Sequence, residues 1–196
     1  MGLRDRKKRA TRQKLGEVAF RLFLERGFDA VGVREIADAA DVSVTTLFKY
    51  FPSKESLVFD EDEEIEEDLV RAVRERPPGV SIPEALRRYM HEKAAEIGPA
   101  QEGMETIHHL IEATPSVADY ARQMWLRFED SLSAAIAAEI GAPPDDPRCM
   151  ALARFALEMH PFIARSSDPL AALDAAFALL EHGWTATVAE GAKAGE

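Results

Sequence analysis

Thr45, Thr46, Lys49 and Tyr50 fall close together within DVSVTTLFKYFPSKESL, the stretch from Asp41 to Leu57. Placed on a short helix capped by Ser43, they lie opposite Val42 and Leu47, with Phe51 one turn beyond Leu47 on the inner side. Hydroxyls, an ammonium and a phenol suit phosphate oxygens and base edges, and a threonine methyl can pack against the methyl of thymine. Arg34, shortly before, could reach a guanine edge or a phosphate. Lys54, just after Pro52, would add charge to the backbone amides opening the next helix. This is the chemistry of nucleic-acid contact, not of bond making.

Catalytic spacings fail elsewhere. GVSIP lacks the final glycine of a nucleophile elbow, and GFDAVG is followed by Val33 and Arg34 where a phosphate-binding loop needs Lys and Ser or Thr. His91-Glu92 begins like a zinc-protease helix, but Ala95 stands where the second histidine belongs. His108 and Glu112 are one turn apart and could share a metal, yet adjacent His108 and His109 diverge around the helix. They read as polar pocket or surface groups, so no catalysis, metal or cofactor is expected.

Net charge divides unevenly. The chain of 196 residues carries a formal charge of -11, but residues 1–54 hold 12 Lys and Arg against 7 Asp and Glu, while 55–196 hold 12 against 28. A basic first quarter suits phosphate, and an acidic remainder keeps the molecule soluble. The acidic run DEDEEIEED reads as the solvated side of a helix whose other face carries Ile65, Leu69 and Val73. One cysteine, Cys149, allows no internal disulfide, and no apolar stretch resembles a signal peptide or a membrane span, so a cytoplasmic protein without membrane contact is expected.

The elements that would position the contact residues are helical throughout. From Thr11 as N-cap, Leu15, Val18, Ala19, Leu22 and Phe23 make one apolar stripe, and Gly27 stops the helix. Val33, Ile36, Ala37 and Ala40 line a second helix, Asp41 and Val42 turn the chain, and Ser43 opens the third: a helix-turn-helix. Pro52 ends that helix, and Ser53 is expected to cap a long fourth one reaching about Glu75. Downstream, Ser81 with Glu84 forms a capping box, a helix runs from Ser116 to Gly141, and Asp146-Pro147 and Asp168-Pro169 each place a carboxylate before a proline at a first helical position.

The run from Thr11 through Leu57 resembles the DNA-binding domain of the TetR family of transcription regulators in its first helix, its GF turn, VREIADAA and the succession from Ser43 onward. The resemblance implies an all-α homodimer whose recognition helices enter successive major grooves of a palindromic operator on double-stranded DNA, released by a small molecule. The implied domains are a helix-turn-helix head, 1–54, and a helical ligand-binding and dimerisation domain, 55–196. Carried over by position, Thr45, Thr46 and Tyr50 would face bases or phosphates, Lys54 would hold a phosphate, Arg34 would touch the operator, and Ser43 and Lys49 complete the set. Phe48 stands where the family commonly has Tyr, Gly32 where it has Thr, and Asp41 where it has Gly; Asp tolerates a left-handed backbone.

Beyond the head the reading rests on residues. Met90, Met104, His108, Tyr120, Met124, Trp125, Phe128, Phe155, Met159 and Phe162 are the candidate lining of a pocket for a largely apolar effector. In the last helix Leu170, Leu173, Phe177, Leu180 and Trp184 form a large stripe. Ala171, Ala175 and Ala178, with Leu179 and His182, lie on a second face expected to pair with another copy.

Overall fold

The structure is a computed structural model that describes residues 3–60, 62–97, 107, 109–163 and 166–182, with backbone alone for 3–5, 95–97 and 160–163. The elements are α1 (Leu3–Arg26), α2 (Val33–Ala39), α3 (Val44–Tyr50), a 3-10 turn (Glu55–Val58), α4 (Asp62–Arg74), α5 (Ile82–Ile97), α6 (Pro115–Ile140), α7 (Pro147–Ile163) and α8 (Pro169–His182). They belong to two compact units, Met1–Glu64 with Gln101–Met124, and Ile65–Ala100 with Trp125–Glu196.

In the first unit the α1 stripe of Leu15, Val18, Ala19 and Phe23 packs against Ile36, Ala37 and Ala40 of α2, Leu47 of α3, and Phe51, Leu57 and Val58 beyond it. Helix α1 starts well before the expected Thr11, whose hydroxyl donates to the Lys7 carbonyl inside the helix at 2.9 Å instead of capping it. Arg, Lys and Ala are strong helix formers, so the basic start prolongs the helix. The α2–α3 turn follows the sequence closely: Asp41 takes the left-handed backbone at φ 59°, and the Val42 N–H reaches back to the Ala37 carbonyl at 2.9 Å. Ser43 accepts from the Thr46 N–H at 3.0 Å, as an N-cap should.

The fourth helix departs from expectation. Ser53 does cap, exchanging hydrogen bonds with Ser56, but it opens only the 3-10 turn, and the α-helix restarts at Asp62. Successive Ser56, Leu57 and Val58 are all buried, an arrangement that one face of a continuous surface α-helix does not provide. Phe59, whose backbone has left helical geometry, stacks its ring on Tyr120 with centroids 5.5 Å apart.

In the second unit Leu69, Val73, Leu86, Phe128, Leu132, Ile136, Ala153, Ala156, Leu173 and Phe177 are buried. Both expected aspartate caps form, while the helix expected from Ser116 starts one residue earlier, at Pro115. Asp146 accepts from the Arg148 N–H at 2.9 Å, and Asp168 accepts from the Ala171 N–H at 3.0 Å. Ser81 accepts from the Glu84 N–H at 3.1 Å, but the Glu84 carboxylate turns outward to Arg87 and Arg88, so only half of the capping box forms. Leu170 and Ile140 remain exposed, and Trp184 lies outside the described residues.

Hydrogen bonds from Arg87 and Arg88 hold the Glu84 carboxyl down at about 2, against its ordinary 4.5. Its native pKa is depressed, so its contribution to stability is complete above about 4.5 and is lost as pH falls towards 2. Chemical denaturation followed by circular dichroism across that window should show wild type losing more stability than Glu84→Gln, with the variant the less stable of the two at neutral pH.

Candidate nucleic-acid interface

Helix α3 presents Thr45, Phe48 and Lys49 as a single exposed row at spacings of three and four, and Arg34 is exposed on α2. The row offers a hydroxyl and a methyl, an apolar ring that is 45% exposed, and an ammonium. Those groups can meet a base edge, a thymine methyl and a phosphate respectively. Phe48 carries no hydroxyl and gave no sequence signal for contact; its exposure within the row is what singles it out.

Other residues expected to touch DNA are engaged in building the head. The Thr46 hydroxyl lies 2.8 Å from the Ser43 hydroxyl, and both stabilise the first turn of α3. Tyr50 is half-buried against the core, and its carbonyl accepts from Arg12 at 2.7 Å. Lys54, expected to hold a phosphate, has a partner within the head. Its ammonium donates to the Phe28 carbonyl at 2.6 Å and sits 4.1 Å above the Phe28 ring, joining the 3-10 turn to the segment after α1. Burial pushes its pKa down, while the Asp29 and Glu55 carboxylates oppose that shift.

Arg12 holds this arrangement together. Its guanidinium donates to the Asp60 carbonyl at 2.8 Å, the Tyr50 carbonyl at 2.7 Å and the Asp62 carboxylate at 3.0 Å, and it lies 4.5 Å over the Phe51 ring. Asp62, only 5% exposed, also accepts from the Tyr120 hydroxyl at 3.1 Å. The sequence carried one signal for this: Arg12 falls on the apolar stripe three residues before Leu15, where a charged group must find a partner. Gly16, on the same helix, lets Asp60 approach so closely that a Cβ there would stand 2.7 Å from the Asp60 Cβ.

The expected effector lining is not gathered around one described cavity. Tyr120 is tied into the first unit, Met124, Phe128 and Met159 are buried, Met90 and Phe155 are half-buried, and Trp125 is partly exposed, edge-on to Phe128. Met104, His108 and the Phe162 side chain lie outside the described residues. Instead, a cleft of about 390 Å³ in the second unit is floored by Val80, Ile82, Ile136, Ile140 and Leu152 and edged by Arg76 and Arg148. On α8, Ala171, Ala175 and His182 are exposed, and Ala178 and Leu179 are half-buried. Among the described residues, no helix is long and apolar enough to cross a membrane.

Residues 15–60 match the family model of bacterial regulatory proteins of the tetR family. Over 152 residues the chain is 33% identical to the HTH-type transcriptional regulator TcmR of Streptomyces glaucescens, spanning 74% of this chain and 67% of that one. It is 47% identical over 51 residues to the HTH-type transcriptional repressor KstR2 of Rhodococcus jostii, about a quarter of either chain. The fold resembles GusR of Salmonella enterica with a TM-score of 0.58 at 23% identity, over 89% of this chain and 95% of the other. It also resembles the repressor FadR of Thermus thermophilus, solved with lauroyl-CoA, with a TM-score of 0.52 at 24% identity, over 88% and 94%. The chain belongs to the TetR family of transcriptional regulators.

Arg12→Ala removes the guanidinium from beside the buried Asp62 carboxylate. Urea unfolding should show a loss of about 3–5 kcal/mol, the usual cost of removing one partner from a buried ion pair. A loss under about 1 kcal/mol, the range of exposed pairs, would contradict this account of the head.

Proposed function

We propose that the chain is a repressor that binds a palindromic operator as a homodimer, reads it with α3, and leaves it when a small, largely apolar effector occupies the second unit. The observation that carries the reading is the exposed row of Thr45, Phe48 and Lys49 on a rigidly capped helix, beside exposed Arg34. Residues 1–54 act as the reading head and 55–196 as the dimerising and effector-binding part. Two heads on one symmetric dimer would place their recognition helices about one helical turn of DNA apart. Effector binding acts by favouring a dimer in which that spacing is lost.

Exposed Ala171 and Ala175 on α8 supply small side chains that let a second helix approach closely, which supports this face as the dimer contact. Light scattering should give the mass of a dimer for wild type and of a monomer for Ala171→Glu/Ala175→Glu; a variant that stays dimeric would place the interface elsewhere. For operator reading, purified protein is mixed with a random duplex pool at moderate salt, and bound molecules are sequenced. Wild type should enrich a palindrome that Thr45→Ala/Lys49→Ala fails to enrich. Recovery without sequence preference would refute the repressor reading.

A further inference from the structure

Several cations of the head are engaged by acceptors within it. Arg12 is buried on Asp62 and the Tyr50 carbonyl, Lys54 is turned onto Phe28, and Arg26 pairs with Glu35. The cations of α2 and α3 are Arg34 and Lys49, both exposed. Yet affinity for duplex DNA comes largely from neutralising phosphates.

The missing charge lies in the first turns of α1. Arg6, Lys7, Lys8 and Arg9 are consecutive, helical and exposed. Among the described residues only Arg9 has an acidic partner, Glu64 at 3.4 Å, and that pair is more than half exposed on both sides. Their charge is not favoured there by the helix itself, because cations oppose the dipole at the start of a helix. Their position is fixed by Arg12, whose hydrogen bond to the Tyr50 carbonyl sets α1 against the C-terminal end of α3. Lys8 lies one turn further out on the same face of α1 as Arg12, about 6 Å along the axis. The basic turn thus adjoins the turn of α1 that is anchored at the end of α3, and backbone phosphates flank a helix seated in the major groove. These residues also precede the family match, which begins at residue 15.

We propose that Arg6, Lys7 and Lys8 form a second DNA-contacting surface that grips the phosphate backbone beside the groove read by α3. It supplies affinity and salt dependence without sequence preference. The inference rests on the reading of α3 as a DNA-reading helix. In binding terms, removing these cations weakens the complex with every duplex alike.

Fluorescence anisotropy of a random-sequence duplex and of the palindrome recovered by selection, over a range of salt, tests this on the full chain. For Arg6→Gln/Lys7→Gln/Lys8→Gln the plot of log affinity against log salt should become shallower by about 0.9 for each phosphate that is no longer neutralised. At physiological salt the affinity should fall by about ten- to a hundredfold on both duplexes, leaving their ratio unchanged. A wild-type slope, or an abolished preference for the palindrome at unchanged slope, overturns the proposal while leaving the repressor reading intact. A wild type that binds neither duplex overturns both. Circular dichroism accompanies the measurement, and a single Lys8→Glu variant, expected to make the slope shallower in the same way, decides the matter should the triple variant lose helix.

Discussion

The ion pair between Arg12 and Asp62 is the constraint on which the head depends. Taking a guanidinium and a carboxylate out of water is costly, and the cost is offset only if each finds further hydrogen bonds. Here the planar, forked donor set of arginine reaches two backbone carbonyls as well as the carboxylate, a geometry that lysine could not match. The carbonyls belong to Tyr50, at the end of α3, and to Asp60, in the break before α4. One side chain of α1 thus fixes where α3 ends and where α4 begins.

That arrangement explains why the fourth helix is interrupted. Asp62 stands at the first position of α4, where its carboxylate also suits the helix dipole, and the Tyr120 hydroxyl shares it. Phe59, whose backbone has left helical geometry, turns its ring onto Tyr120. Gly16 permits the loop to approach α1, since no side chain separates it from Asp60.

Polar residues near α3 divide between two tasks. Ser43, Thr46, Tyr50 and Lys54 mostly satisfy caps, carbonyls and ring faces of the head itself, whereas Thr45, Phe48 and Lys49 stand outward. A reading helix is useful only if its orientation is fixed, and a short one has too few backbone hydrogen bonds to hold itself. Its neighbours must therefore supply stiffness. The basic and acidic parts of the chain coexist because they occupy different stretches of it: residues 1–54 carry the net positive charge, and the carboxylates begin their dense run at Asp60.

Local chemistry was legible in the sequence alone: the α1 stripe, the Ser43 cap, the left-handed Asp41, Gly27 and Gly141 as stops, and the Asp-Pro starts of α7 and α8 all depend on residues close together in the chain. The all-helical class followed from the same short-range patterns, and the family from the resemblance carried by Thr11 through Leu57. Tertiary structure decided what required partners far apart in sequence. Arg12 meets Tyr50, Asp60 and Asp62, and Lys54 meets Phe28, through contacts that no periodicity encodes. The second unit was less legible for the same reason: Met, Phe and Ala at helical spacing satisfy a core, a cleft or an interface equally well, and only the packing of α5, α7 and α8 separates buried Phe177 from exposed Ala175.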